Sequence, residues 1–121
     1  MSMYMAKGLS KSRYTLFCKC EKAFWLNVFE PGKATPIDDA QKARFEQGNI
    51  VGDLAMKLFG NYEEVTTYTP DGKLDLGVMV AKTKDEMQKG TANICEASFA
   101  WDGNYCAVDI LRKTPGGWAI Y

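Results

Sequence analysis

Two acids, Glu96 and Asp109, stand where chemistry could occur. Each lies in a segment of strand character, Ile94 to Trp101 and Asn104 to Arg112, and the segments flank Asp102-Gly103, the strongest short-range signal for a two-residue hairpin turn. If Trp101 and Asn104 close that turn, Glu96 lies directly opposite Asp109. Alternation then puts Glu96, Ser98, Ala100, Tyr105, Ala107, Asp109 and Leu111 on one face. Cys95, Ala97, Phe99, Trp101, Cys106, Val108 and Ile110 form the other, apolar, face. Carboxylates opposed at about 5 Å repel unless a cation lies between them or one takes up a proton. A divalent cation, Mg²⁺ or Mn²⁺, is the economical reading, and Glu96 and Asp109 are its candidate ligands and the candidate catalytic acids. The plain alternative is two acids pointing into water from the solvated side of a hairpin.

The remaining composition narrows the chemistry. The chain has no His, which excludes His-based metal sites, Ser-His-Asp triads and Cys-His pairs. Cys18-Lys19-Cys20 is too tight for a zinc-ribbon pair, so Cys18, Cys20, Cys95 and Cys106 read as free, buried thiols in a reducing cytoplasm. Lys and Arg total 15 and Asp and Glu total 15, so no overall positive field draws the chain to nucleic acid or to an anionic membrane. Any basic patch must be local. Lys11, Arg13, Lys19, Lys22 and Lys33 make the first 33 residues such a patch, with Tyr14, Phe24 and Trp25 interleaved. That pattern fits a nucleic-acid-binding surface, or equally a solvated helix face backed by core aromatics. No apolar run approaches the length of a bilayer span, and Met1 to Ser10 lacks the pattern of a secretory signal. The expected location is the cytoplasm, with no membrane partner.

The elements that must position the acids read as helices first and strands last, in one domain with a single core. Ser10 or Ser12 caps a first helix with Tyr14, Phe17, Cys20, Phe24 and Val28 as its core stripe, ended by Pro31-Gly32. Asp38 and Asp39 open a second helix carrying Phe45, Val51, Leu54, Leu58 and Phe59, stopped by Gly60. Gly48 and Gly52 on one face of it predict a close backbone approach. A short strand is expected over 64–68 before the turn Pro70-Asp71-Gly72, and a helix over 78–89 before Gly90. After the hairpin, Thr114 to Gly117 turns into a strand beginning at Trp118, with Lys113 facing Trp118. The expected fold class is α+β, N-terminal helices packed on an antiparallel hairpin or meander. An exposed edge on the last strand would let two copies pair.

Leu9-Ser10-Lys11-Ser12, Cys20 to Leu26, Phe45 to Gly52, Ile94-Cys95-Glu96-Ala97-Ser98-Phe99 and Val108-Asp109-Ile110-Leu111 together resemble an uncharacterised bacterial family related to RecB-like and CRISPR-associated nucleases of the PD-(D/E)XK superfamily. The resemblance runs over nearly the whole chain. It implies a partial restriction-endonuclease-like core, DNA as substrate, Asp109 as the central metal-binding Asp and Glu96 as the acid of the preceding strand. A Glu-x-Lys motif would follow Trp118-Ala119-Ile120-Tyr121, so the resemblance implies a nuclease fragment, inert by itself. Gly52 stands where relatives place a metal-binding His, and Glu21 replaces the Pro of a Cys-Pro dipeptide, which lets the first helix run on without a break. Cys20 matches an iron–sulfur ligand of the CRISPR-associated relatives. Cys95 and Cys106 fall on strands instead of supplying a C-terminal trio, which favours a buried helix thiol at Cys20. A non-catalytic nucleic-acid or protein binding module on the same scaffold is the alternative function.

Overall fold

Local chemistry sets most element ends. A computed structural model describes residues 8–121; Met1–Lys7, part of the stretch searched for a signal sequence, lies outside them. Strand β1 (Leu9–Ser10) leads into helix α1 (Lys11–Lys19), and the Ser10 hydroxyl caps it by accepting from Arg13 N at 3.2 Å. The predicted single N-terminal helix is broken at Cys20, whose backbone is extended at φ −162° and ψ 107°. Cys20 N–H donates back to Leu16 O while its carbonyl accepts from Phe24, so one residue ends α1 and starts α2 (Glu21–Phe29). Glu21, expected to carry the helix through, is instead the first-turn acid of α2. Pro31–Lys33 forms a 3₁₀ turn, and Asp38 Oδ1 caps α3 (Asp39–Ala55) by accepting from Gln41 N at 2.7 Å.

Strand β2 (Glu63–Glu64) is shorter than predicted, although Val65 N–H still reaches Cys95 O at 3.1 Å. A tight turn follows, held by Thr69, whose hydroxyl donates to the Asp71 carboxylate. Helix α4 (Leu76–Lys89) is capped by Asp75 and closed by Gly90 in the left-handed conformation at φ 78°. Strands β3 (Asn93–Trp101) and β4 (Asn104–Thr114) flank the Asp102-Gly103 turn, and β5 (Gly117–Ile120) returns along β4 with Lys113 opposite Trp118, as the turn spacing predicts. The class is α+β, but the sheet is mixed rather than a pure meander. Its order is β1-β4-β3-β2, with β1 parallel to β4, β2 parallel to β3, and β5 antiparallel along β4.

The chain groups into two compact units: the N-terminal segment through Arg44 with Ala100–Cys106, and Phe45–Phe99 with Ala107–Tyr121. In the first, β1 pairs Leu9 with Asn104 and Ser10 with Tyr105. A Cβ on Gly8 would collide with the Gly103 carbonyl, so only glycine fits there. Helices α1 and α2 meet through Phe17 and Phe24, edge to face at 5.5 Å between centroids. The stripe expected to be core is only partly covered: Tyr14 at 56%, Phe17 at 43% and Cys20 are exposed, while Phe24 and Val28 are half-buried.

In the second unit, Met79 and Thr83 of α4 are buried against the sheet. Val65, Met79, Ile94, Ala97 and Leu111 form the core, flanked by Met87, Phe99, Val108 and Trp118. Those residues come from both of the predicted hairpin faces, and Trp101, expected on the apolar one, is 85% exposed. Phe45, Val51, Leu54 and Leu58 are exposed too, and nothing lies within 4 Å of a Cβ built on Gly48 or Gly52, so the predicted close approach is absent there. The segment after α3 is tied down by Asn93, whose Nδ2 donates to Asn61 O at 2.9 Å and Phe59 O at 3.3 Å. The Phe59 ring contacts the Arg112 guanidinium at 4.3 Å and the Tyr121 ring at 4.8 Å.

Because Met79 is 2% exposed at the centre of that core, Met79→Ala is expected to cost about 2–5 kcal/mol. Trp101→Ala should stay within about 0.5 kcal/mol. Urea unfolding midpoints of the two variants check the contrast.

Candidate carboxylate site

Asp102 at φ 47° and Gly103 at φ 75° are both left-handed, the geometry a twisted two-residue hairpin needs, so Trp101 and Asn104 close the turn. In an unbroken hairpin of that register, hydrogen-bonded pairs recur at every second position, through Ala97/Val108 and Cys95/Ile110 to Asn93/Arg112. Ala92 and Lys113 would then face each other without a bond. Instead Lys113 N–H donates to Ala92 O at 2.8 Å, while Ile110 exchanges both of its backbone bonds with Tyr121 on the opposite edge, at 3.2 and 3.0 Å. The residue pairing is unchanged, yet the hydrogen-bonding phase has slipped by one position on both strands.

Glu96, at φ 57° in the middle of β3, lies inside the slip. A left-handed non-glycine residue costs about 1–2 kcal/mol, and here it re-aims the chain as a bulge does. The slip also accounts for the composition of the core. Ile94 and Ala97 are three residues apart, as are Val108 and Leu111, and in regular strands neither pair could share a face.

The turn predicts Glu96 near Asp109, and the Asp109 charge does act on Glu96. The Glu96 carboxyl is held above the usual range, first by burial, then by the Asp109 charge and then by Glu64. Asp109 is exposed. Glu64 is a third acid that the sequence reading missed. It sits on β2 in register with Cys95, next to Glu96, and only the long-range parallel pairing of β2 with β3 brings it there. The Glu63-Glu64 doublet ahead of a β-branched run was the one available signal. The buried Cys95 thiol records the same field. Its pKa is pushed up to about 11 by burial, then by Glu64 and Glu96, which leaves it protonated and unreactive at neutral pH.

Acids on three adjacent strands therefore influence one another. As oxygen donors they suit a hard divalent cation in kind. They are not drawn together in number, since among the described residues no three Cys, Asp or Glu side chains are placed to hold a metal ion. The remaining predicted residues lie elsewhere. Cys20 is exposed at the α1–α2 junction rather than buried in a helix, and Cys18 is exposed as well, against the expectation of buried thiols. Lys11, Lys19 and Lys22 are exposed, Arg13 donates through Nη1 to Gly8 O at 3.1 Å, and Lys33 pairs with Glu30 at 3.6 Å.

An open groove beside β2 is lined by Glu63, Glu64, Lys82, Asp85, Glu86 and Lys89. Its charges are mixed and largely engaged. Lys82 donates to Thr67 Oγ1 at 2.8 Å, and Glu86 is held below the usual carboxylate range by Lys89 and then by Thr91. No known protein family, curated protein or solved structure matches the chain.

The raised Glu96 pKa makes stability depend on pH with a definite sign. Folded Glu96 binds its proton more tightly than unfolded Glu96, so its favourable contribution is complete below the ordinary glutamate value. That contribution is lost as pH rises through the folded value. Relative to the native chain, Glu96→Gln should gain thermal stability as pH rises from about 4 to 7, the range above an ordinary carboxylate. A difference that stays flat across that range would remove the repulsion from the account. Glu96→Gly should retain or exceed native stability at pH 7, because glycine accepts φ 57° without steric cost, whereas in a regular strand it would cost about 0.5–1 kcal/mol.

Proposed function

We propose that this chain carries the acid-bearing strands of a metal-dependent DNA nuclease, the RecB-like PD-(D/E)XK core that its motifs resemble. The supporting observation is the conformation of Glu96. A strand that takes up left-handed backbone at an acid, and sets that acid against Asp109 with Glu64 nearby, adds steric strain to like-charge repulsion. The strain contributes to stability only through the core packing that the slip permits, and the repulsion not at all; both are features of sites organised for binding or chemistry.

In this reading Glu96 and Asp109 hold a Mg²⁺ or Mn²⁺ ion, with Glu64 the next carboxylate available to it. The ion would supply polarisation of a phosphodiester and a lowered pKa for an attacking water. The chain's own part is to deliver ionised oxygens. Half-buried Glu96 must shed a proton to bind, so binding strengthens with pH, while exposed Asp109 is the ligand open to the substrate side. Strand β5 meets β4 with Tyr121 at Ile110, next to Asp109, and the resemblance assigns the Glu-x-Lys motif to the register positions that follow.

Thermal melts with and without millimolar Mn²⁺ test the proposal on this chain directly. The unmutated protein should gain several degrees, and more at pH 8 than at pH 6. Glu96→Gln and Asp109→Asn should lose the gain, with Glu64→Gln between them. Equal shifts in all four proteins, or none in any, would sink the site.

A further inference from the structure

Trp25 and Phe29 are large apolar residues of α2 that are each more than half exposed. They sit one helical turn apart on α2 with ring centroids 5.4 Å apart and planes tilted by 34°, and they are 51% and 53% exposed. Lys22, at helical spacing three before Trp25, lies on the same face and is exposed. Across the α1–α2 junction, Lys11 and Lys19 are exposed, as is the Tyr14 ring. Between Leu9 and Lys33 there are five cationic residues, Lys11, Arg13, Lys19, Lys22 and Lys33, against two acids, Glu21 and Glu30, in a chain whose net charge is zero. Two exposed rings with Lys22 on the same helix face, in a segment where cations outnumber acids, form a distinct chemical surface.

We propose that the Trp25–Phe29 ring pair, with Lys22 and Lys19, is a binding platform for single-stranded nucleic acid. Unpaired bases stack on the rings, and the ammonium groups meet the phosphates between them. The charge argues against a second copy of the chain as occupant, since two such faces would bring like charges together. Duplex is a poor fit, because its bases already stack on one another and offer no free faces to the rings. The inference shares its substrate class with the nuclease reading and depends on none of the same residues.

The test is fluorescence anisotropy with a labelled oligo(dT) of about 20 nucleotides, in EDTA, across a series of salt concentrations. Trp25→Ala and Phe29→Ala should each weaken binding at least about fivefold. Trp25→Leu, which keeps apolar bulk and removes the ring, should do the same with the helical circular dichroism unchanged, separating a lost stack from a lost fold. Lys19→Gln and Lys22→Gln should each lower the slope of log affinity against log salt by about 0.7. Trp25→Ala should keep the full Mn²⁺-dependent gain in melting temperature, so failure of the carboxylate site and failure of this one are told apart. No binding at low salt would overturn the proposal. So would duplex bound as tightly as single strand with no effect of Trp25→Ala, or self-association abolished by Trp25→Glu in place of DNA binding.

Discussion

The hairpin's one-residue slip in hydrogen-bonding phase, centred on the left-handed Glu96, is the constraint on which the second unit depends. Strand periodicity is two, so every residue beyond the slip changes face. Below it, Ile94 and Leu111 point to the α4 core; above it, Ala97 and Val108 do. Without the slip one of these pairs would turn to the other side, and the core would lose part of its apolar content. The same irregularity holds Glu96 against Asp109 at the change of phase. Core packing and the candidate site are thus two consequences of one backbone event.

The structure around the slip satisfies what the slip disturbs. Strand β2 bonds β3 only as far as Cys95, so among the described residues the upper part of that edge has no strand neighbour. Thr83 of α4 fills the gap, accepting from Ser98 N–H at 2.8 Å while donating to Met79 O at 2.9 Å. A buried threonine in a helix is thereby explained by a strand's need for an acceptor. Asn93 plays a matching part at the lower end, where its amide holds the 59–61 segment, although its Oδ1 has no hydrogen-bond partner among the described residues. Cys95 lies between these anchors as a buried, protonated thiol, and the raised pKa it shares with Glu96 marks a region where negative charge is unfavourable unless neutralised.

The two units spend their apolar residues differently. The second closes a core over α4 and the sheet while leaving Phe45, Val51, Leu54 and Leu58 of α3 exposed, and the first keeps Tyr14, Trp25 and Phe29 more than half exposed in a segment where cations outnumber acids. Overall neutrality conceals that asymmetry, since an average over the chain says nothing about where its charges sit.

Local signals were sufficient for the elements that close through near neighbours. The Asp102-Gly103 turn, the Lys113–Trp118 register, the Ser10 and Asp38 caps and the Gly90 stop each follow from a few adjacent residues, because turns and caps are short-range hydrogen-bonding problems. Helical spacing from Tyr14 to Val28 was equally legible, but whether that stripe would be buried was not, since periodicity describes a face and not what covers it. The break at Cys20, the truncation of the 64–68 strand and the exposure of Leu54 all turn on long-range packing. So does the third acid, for Glu64 reaches Glu96 only through a parallel pairing that spans about 30 residues and leaves no local mark. The turn alone predicts that Glu96 and Asp109 come near each other, and the Asp109 charge does act on Glu96. Which way those side chains face was decided by the tertiary structure, where the need to bury Ile94 and Ala97 together overrode the alternation that a regular strand would impose.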